Sequence, residues 1–168
     1  MKTSTETFVI ISPPESILKD VSYLKKSIGE ILGYPYEGEF SKAHISLLKY
    51  RDQHTDSELY TINNLVASVK PFNLYVKGFD VLHHGNNRTL CLNVDNKNPV
   101  RELAETLTGR EITPHITLAK NLSVHSFNKV WSAVKRITYS THFWCDHLTV
   151  LKRNSGPWRH YMDLPFYN

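Results

Sequence analysis

The chain reads as an α+β fold of two similar lobes, and three observations predict it. Strand-like and helix-like segments alternate through all 168 residues, with no Gly-rich phosphate loop and no dinucleotide-binding fingerprint. No Ser- or Gly-rich linker or low-complexity tract interrupts them, so residues 1–168 are expected to form a single domain, as the length allows. An order of elements also repeats. A helix, a strand carrying His44-Ile45-Ser46-Leu47 and a second helix occupy the first half. A helix, a strand carrying His115-Ile116-Thr117-Leu118 and another helix occupy the second.

The elements follow from local pattern. Phe8 to Ile11 is a β-branched run closed by Pro13-Pro14, and predicts a strand. Ile17, Leu18, Val21, Leu24, Ile28, Ile31 and Leu32 fall at helical spacing, so a helix spans 15–32, and Gly33 stops it. Residues 34–40 contain Pro35 and Gly38 and read as a loop, and 43–50 as a second strand. Asp56 is placed to cap a helix reaching Val69, with Leu59, Ile62, Leu65, Val66 and Val69 inward. Residues 72–82 and 88–95 read as strands joined by a hairpin loop at 83–87, on the strength of Gly85-Asn86-Asn87. Pro99 opens a helix that ends near Gly109. Residues 116–122 form a strand, Ser123 caps a helix through Ile137, and two final strands cover 141–153 and 158–164 around the Asn154-Ser155-Gly156-Pro157 turn.

Composition excludes several classes of function. Hydrophobic residues make up 40% and aromatic residues 11%, which excludes a disordered tail. The apolar runs are far shorter than the roughly 20 residues of a membrane span, so no membrane partner is expected. Met1 to Thr7 is polar and lacks the apolar core of a secretory signal. Cys91 and Cys145 form no CxxC pair and sit in apolar strands, where cysteine acts as a small buried hydrophobe. Absence of a signal and of a disulfide framework points to the cytoplasm. A net charge of +4 favours anionic partners, phosphates first, although no long Lys/Arg block marks a duplex-binding surface.

The two His-x-Ser/Thr strands carry the chemistry. Residues i and i+2 of a strand lie about 7 Å apart on one face. His44 and Ser46 therefore share a face, with Ile45 and Leu47 on the other, and His115 and Thr117 do the same. Each strand packs one apolar face on helices and shows an imidazole and a hydroxyl to a cleft. Phosphodiester cleavage needs a base for the attacking water and an acid for the leaving oxygen across phosphorus. Imidazole, with an ordinary pKa of about 6.5, supplies either form near neutral pH. The hydroxyls suit the non-bridging oxygens, and no metal or other cofactor is required. Among nine histidines the bare pattern recurs at His147-Leu148-Thr149-Val150. That match lacks the shared leucine and has Asp146 before the histidine. The first two also share a lysine five residues on, Lys49 and Lys120.

With these motifs the chain resembles the 2H phosphoesterase superfamily, in its branch of 2′-5′ RNA ligases and RNA 2′,3′-cyclic phosphodiesterases. The first strand with Pro13-Pro14, the Pro114-His115-Ile116-Thr117-Leu118-Ala119-Lys120 segment, and the ending from Leu148 to Tyr161 carry the similarity across most of the chain. The resemblance implies mostly antiparallel sheets with outer helices around a central cleft. It implies that His44 donates a proton to the leaving oxygen, that His115 accepts one from water, and that Ser46 and Thr117 bind phosphate. The expected substrate is an RNA end or nucleotide bearing a cyclic phosphate. Alternatives are 2′-5′ ligation, a small cyclic nucleotide metabolite, or a module that binds without turnover. The family often has arginine where Lys120 stands; lysine keeps the charge and loses the fork.

Other residues are weighed beside these. Lys120 is a candidate phosphate contact, but strict alternation turns it away from His115 unless a bulge re-aims it, and Lys49 has the same difficulty. Tyr161 and Trp158 could stack on a base at the cleft mouth. His83 and His84 read as a solvated hairpin tip rather than metal ligands, and Arg88 as surface charge.

Overall fold

The computed structural model describes residues 5–52 and 55–167, apart from the side chains at 52, 55 and 56. The Asp56 cap and the first four residues of the polar leader lie outside the described residues. The elements in order are β1 (Thr5–Ile11), α1 (Glu15–Leu32), β2 (Ile45–Asp52), α2 (Thr55–Ala67), β3 (Phe72–His84), β4 (Asn87–Val94), α3 (Lys97–Thr108), β5 (His115–Ser123), α4 (Val124–Val134), β6 (Ser140–Cys145), β7 (His147–Arg153) and β8 (Arg159–Pro165).

Local chemistry accounts for the helix ends. In α1, Ile17, Val21, Leu24, Ile28 and Leu32 are buried at spacings of three and four, and Gly33 closes the helix at φ 76°, its N–H bonding the Gly29 carbonyl. Gly109 ends α3 the same way, at φ 65°. Pro99 falls in the first turn of α3, where a missing N–H costs nothing. The Ser123 side chain accepts a hydrogen bond from the Ser126 N–H at the start of α4.

Two strand expectations need correction. The β3–β4 hairpin is tighter than a loop over 83–87, because His83 pairs with Arg88 and His84 with Asn87. Only Gly85 and Asn86 turn the chain, and Gly85 adopts φ 57°, which its missing Cβ allows. Residues 141–153 are not one strand. They break at Asp146 into β6 and β7, which belong to different sheets. The apolar pattern continues through the break because buried Cys145 and buried Leu148 enter the core from the two sides of it.

The two sheets run β2-β1-β7-β8 and β5-β4-β3-β6, and the registered neighbours in both pair antiparallel. The helices exchange partners. Helix α1 packs with α4 against β5, while α3 packs with α2 and against β2. Each half of the chain thus lends its first helix to the sheet of the other. Val9, Ile11, Ile45, Leu148, Val150 and Leu164 of the first sheet join Leu90, Leu92, Ile116 and Leu118 of the second in one apolar core. Strands β2 and β5 are each the edge of their sheet, and these two edges approach one another. Among the described residues no helix is long and apolar enough to cross a membrane.

Candidate active site

The facing edges carry the two histidines at matching places. His115 opens β5, and His44 stands one residue before β2. Burial alternates as the sequence predicts: Ile45, Leu47, Ile116 and Leu118 are buried, whereas His44, Ser46, His115 and Thr117 lie on the open face.

Both imidazoles are held by the same device. His44 Nδ1 lies 2.8 Å from the carbonyl oxygen of Lys42, and His115 Nδ1 lies 2.6 Å from that of Thr113, two residues back in each case. A carbonyl only accepts, so Nδ1 carries the hydrogen in both rings. That leaves Nε2 to accept a proton when the ring is neutral and to donate one when it is charged. The edge of the His44 ring also meets Phe8, at 5.2 Å between centroids and 83° between planes.

The electrostatics are cationic. Burial is the main influence lowering the pKa of His44, followed by the charges of Lys25, Lys120 and His115, against a raising contribution from the Lys42 carbonyl. Burial likewise leads in lowering His115, with Lys120 and His84 adding to it, while the Thr113 carbonyl and Asp80 oppose it. The unliganded cleft therefore favours two neutral imidazoles, and a bound phosphate anion would reverse that preference.

Lys120 reaches this cleft because of a bulge. Leu90 pairs with Ala119 and Cys91 with Thr117, so Leu118 is the extra residue on β5. Leu118 and Ala119 are both fully buried, and the alternation resumes one residue later with Lys120 exposed on the face of His115 and Thr117. Strand β2 repeats this: Val9 pairs with Leu48 and Ile10 with Ser46, leaving Leu47 unpaired and turning Lys49 to the open side. Its Nζ lies 5.2 Å from the centroid of the Trp158 ring, not beside the histidines.

The loop over 34–41 ties the two edges together. The Lys120 N–H donates to the Glu37 carbonyl at 2.9 Å, and Asn121 Nδ2 donates to the Glu37 carboxylate at 2.7 Å. Below the loop, Lys25 of α1 is only 3% exposed. Its Nζ donates to the carbonyls of Gly38 and Ser41, both at 2.7 Å, and to Ser41 Oγ at 3.0 Å. Desolvation lowers its pKa to about 8.

The remaining candidates fall elsewhere. His147 donates to its neighbour Asp146 at 2.6 Å, and Thr149 is buried and bonded to Asp163, so the third motif presents no open imidazole–hydroxyl pair. Arg88 ties the hairpin turn through the Gly85 and Asn87 carbonyls. Trp158 packs on Phe8 at 5.4 Å, and Arg153 also lies over its ring at 4.4 Å, so cations already occupy its π-surface. Tyr161 lies under Lys152, with Nζ 4.0 Å from the ring centroid. Lys152 shares its strand face with the buried Leu148 and Val150, whereas Phe8 and Arg153 point to the other, so Tyr161 meets the sheet on the side away from the His44–Phe8 contact. The cysteines are free and buried, their thiols pushed up to about 12 by burial.

Phe8, Lys25, Glu37, Asp80 and His84 were not singled out by sequence as neighbours of the site. Only the register reveals Asp80, which pairs with Cys91 as Cys91 pairs with Thr117. Among the described residues, no group of three or more His, Cys, Asp and Glu side chains gathers as a metal site would require.

A sequence profile described as the 2′-5′ RNA ligase superfamily matches residues 13–157. No curated protein matches the chain in sequence. Solved structures share its fold. TT0787 of Thermus thermophilus is 14% identical, with a TM-score of 0.67 over 96% of this chain and 98% of that one. E. coli LigT complexed with 3′-AMP is 14% identical, with a TM-score of 0.66 over 98% of this chain and 99% of that one. Usb1 of Kluyveromyces marxianus is 10% identical, with a TM-score of 0.57 over 98% and 99%.

Proposed function

The chain belongs to the 2′-5′ RNA ligase superfamily, and on that premise we propose that it is a phosphoesterase that opens a 2′,3′-cyclic phosphate at an RNA end or on a nucleotide. His115 Nε2 takes a proton from water as the water oxygen attacks phosphorus. The bond from phosphorus to one ribose oxygen breaks, and His44 Nε2 gives its proton to that leaving oxygen. Ser46 and Thr117 donate to the non-bridging oxygens, and the Lys120 ammonium offsets their charge. Each proton transfer contributes about 10²–10⁴-fold. No step requires a metal. Residues 1–168 act as one domain in which each lobe supplies one histidine, and two buried free cysteines suit the reducing cytoplasm.

The observation that carries this reading is the matched tethering of two imidazoles on facing edge strands, each by Nδ1 to the carbonyl two residues back. In support, E. coli LigT has been solved with 3′-AMP, a ribose 3′-phosphate of the kind such a reaction leaves. The test is turnover of a short RNA with a cyclic end, a free 2′,3′-cyclic mononucleotide and a 2′-5′ linked dinucleotide, each with and without EDTA. Ring opening that survives chelation is expected. Loss on chelation refutes the metal-free mechanism, and binding without turnover of any substrate refutes the enzyme.

A further inference from the structure

The open face of the first sheet gathers cations beyond the histidine cleft, and strand register fixes which side chains share it. Ile10 pairs with Ser46 on one side and Thr149 on the other, Phe8 with Lys49 and Leu151, and Glu6 with Arg51 and Arg153. Residues paired directly across strands project to the same side of a sheet, and so do residues two apart along one strand. The His44 ring meets Phe8 edge-on, so Lys49, Arg51 and Arg153 look out on the side of His44. Thr7, Val9 and Val150 alternate with them and are fully buried. One carboxylate stands among the three cations. Arg51 Nε lies 3.7 Å from Glu6 Oε1, and Arg153 Nε donates to Glu6 Oε2. That bond chiefly, with the charges of Lys49 and Arg51, holds the Glu6 carboxyl below its usual value. Farther along the face, Asp163 is already engaged by His160 and Thr149.

Two of the cations are held in place before any ligand arrives. The Trp158 ring supports both, with Lys49 Nζ 5.2 Å and Arg153 4.4 Å from its centroid, and Glu6 fixes Arg153 further. A lysine resting on an aromatic face keeps its N–H donors for oxygen acceptors. Side chains already ordered also lose less rotamer freedom when an anion binds. The cluster is continuous with the cleft. His44 touches Phe8 at 5.2 Å and Phe8 touches Trp158 at 5.4 Å, which keeps the Lys49 ammonium within about 16 Å of the His44 ring. At about 3.4 Å of rise per stacked nucleotide, that bound is on the order of five nucleotides. A cyclic mononucleotide with its phosphate between the histidines has no second phosphate to offer; an RNA strand has one at every nucleotide. The opposite wall is less suited to a phosphate backbone, because Asp80 shares the face of Thr117 there.

We propose that Lys49, Arg51 and Arg153 form a second phosphate-binding site on the His44 side of the first sheet. It holds the backbone of a single RNA strand upstream of the end that reacts between His44 and His115. This rests on the function proposed above, and it makes a strand, rather than a free nucleotide, the preferred substrate.

The test compares the wild type with Lys49→Glu/Arg51→Glu and, as a milder variant, Lys49→Ala/Arg51→Ala, which leave the Arg153–Glu6 pair intact. Lys26→Glu/Lys129→Glu, on the exposed sides of α1 and α4, makes the same change in net charge elsewhere. Thermal melts establish that each variant is folded. Fluorescence anisotropy measures a labelled RNA hexanucleotide ending in a 3′-phosphate across a salt series. Kinetics are measured on a 2′,3′-cyclic mononucleotide and on a cyclic-ended hexanucleotide. The charge-reversed pair at 49 and 51 should weaken hexanucleotide binding at least about tenfold. The alanine pair should lose less affinity and flatten the log–log salt slope by about 1.4, the value for two lost single-strand contacts. KM for the hexanucleotide should rise in step while the mononucleotide kinetics stay unchanged. Wild-type-like hexanucleotide binding by both variants overturns the site. An equal loss in the Lys26/Lys129 variant also overturns it, since net charge alone would then account for the effect. So does an equal loss on the mononucleotide, which would place these residues in the cleft itself. If no substrate turns over, the reading of the histidines fails, yet the anisotropy still decides the strand site.

Discussion

Lys49 and Lys120 stand five residues after their respective histidines, and a β-bulge at Leu47 and at Leu118 turns both toward the open face of their sheets. They then differ in what they meet. The Lys120 charge is felt at both imidazoles, whereas Lys49 lies over Trp158. Lys120→Gln should therefore raise the pKa of both histidines and move the kcat/KM optimum to higher pH. It should also raise KM roughly tenfold or more, the order expected for losing a charge-assisted hydrogen bond to phosphate. Lys120→Arg should keep the profile and most of the activity, and Lys49→Gln should leave the profile in place. A Lys120→Gln enzyme with an unshifted profile would contradict the electrostatic role.

The two histidines should be separately indispensable. His44→Ala and His115→Ala are each expected to lower kcat/KM by at least about 10²-fold. The double variant should fall well short of the product of the single losses, because the two groups act in one step. His147→Ala should retain activity, since its ring is engaged by Asp146. An inactive His147→Ala beside an active His44→Ala would show that the strands are wrongly paired.

The pH dependence follows from burial. Both imidazoles are shifted below their usual value of 6.5, burial being the first cause in each. The free protein holds one charged and one neutral ring only between two lowered pKa values. A kcat/KM profile should therefore be bell-shaped, with its maximum on the acid side of 6.5. Bound phosphate favours the imidazolium, so the kcat profile should lie at higher pH than that of kcat/KM. A rate that climbs steadily through about pH 8 is incompatible with this pair.

Lys25 links stability to the cleft. Its ammonium is buried on the carbonyls of Gly38 and Ser41, just ahead of the Lys42 carbonyl that orients His44. Its pKa is depressed to about 8 from 10.5, so the unfolded chain binds more protons than the folded one between those values. Stability therefore rises with pH across that window, by no more than about 3 kcal/mol. Thermal melts of wild type and Lys25→Met from about pH 7 to 10.5 should show the wild type gaining on the variant as pH rises. A constant difference would mean that the buried amine does not titrate there.

Much of the site was legible because it depends on short-range regularities. Period-two burial put His44 with Ser46 and His115 with Thr117, and the repeated element order paired the motifs. Helix ends at Gly33, Gly109 and Ser123 were equally local, set by left-handed glycines and a serine cap. The bulges at Leu47 and Leu118 were not legible. A bulge is a property of two paired strands, and the sequence of one leaves its place open. The break at Asp146 was hidden for a similar reason, since both of its flanks are apolar and the change of sheet leaves no mark on the pattern. Asp80, His84 and Phe8 approach the histidines only through pairing and packing across the fold.

By itself the amino-acid order determined which residue types sit on which face of each strand, since side-chain direction alternates along any extended backbone. It therefore determined that two imidazole–hydroxyl faces exist. Tertiary structure alone decided that β2 and β5 become the edges of separate sheets and draw near each other. It also decided that α1 and α3 change sheets and that two bulges swing the lysines round. These outcomes depend on contacts between residues far apart in the chain, where the free energy of packing, not local conformational preference, selects the arrangement.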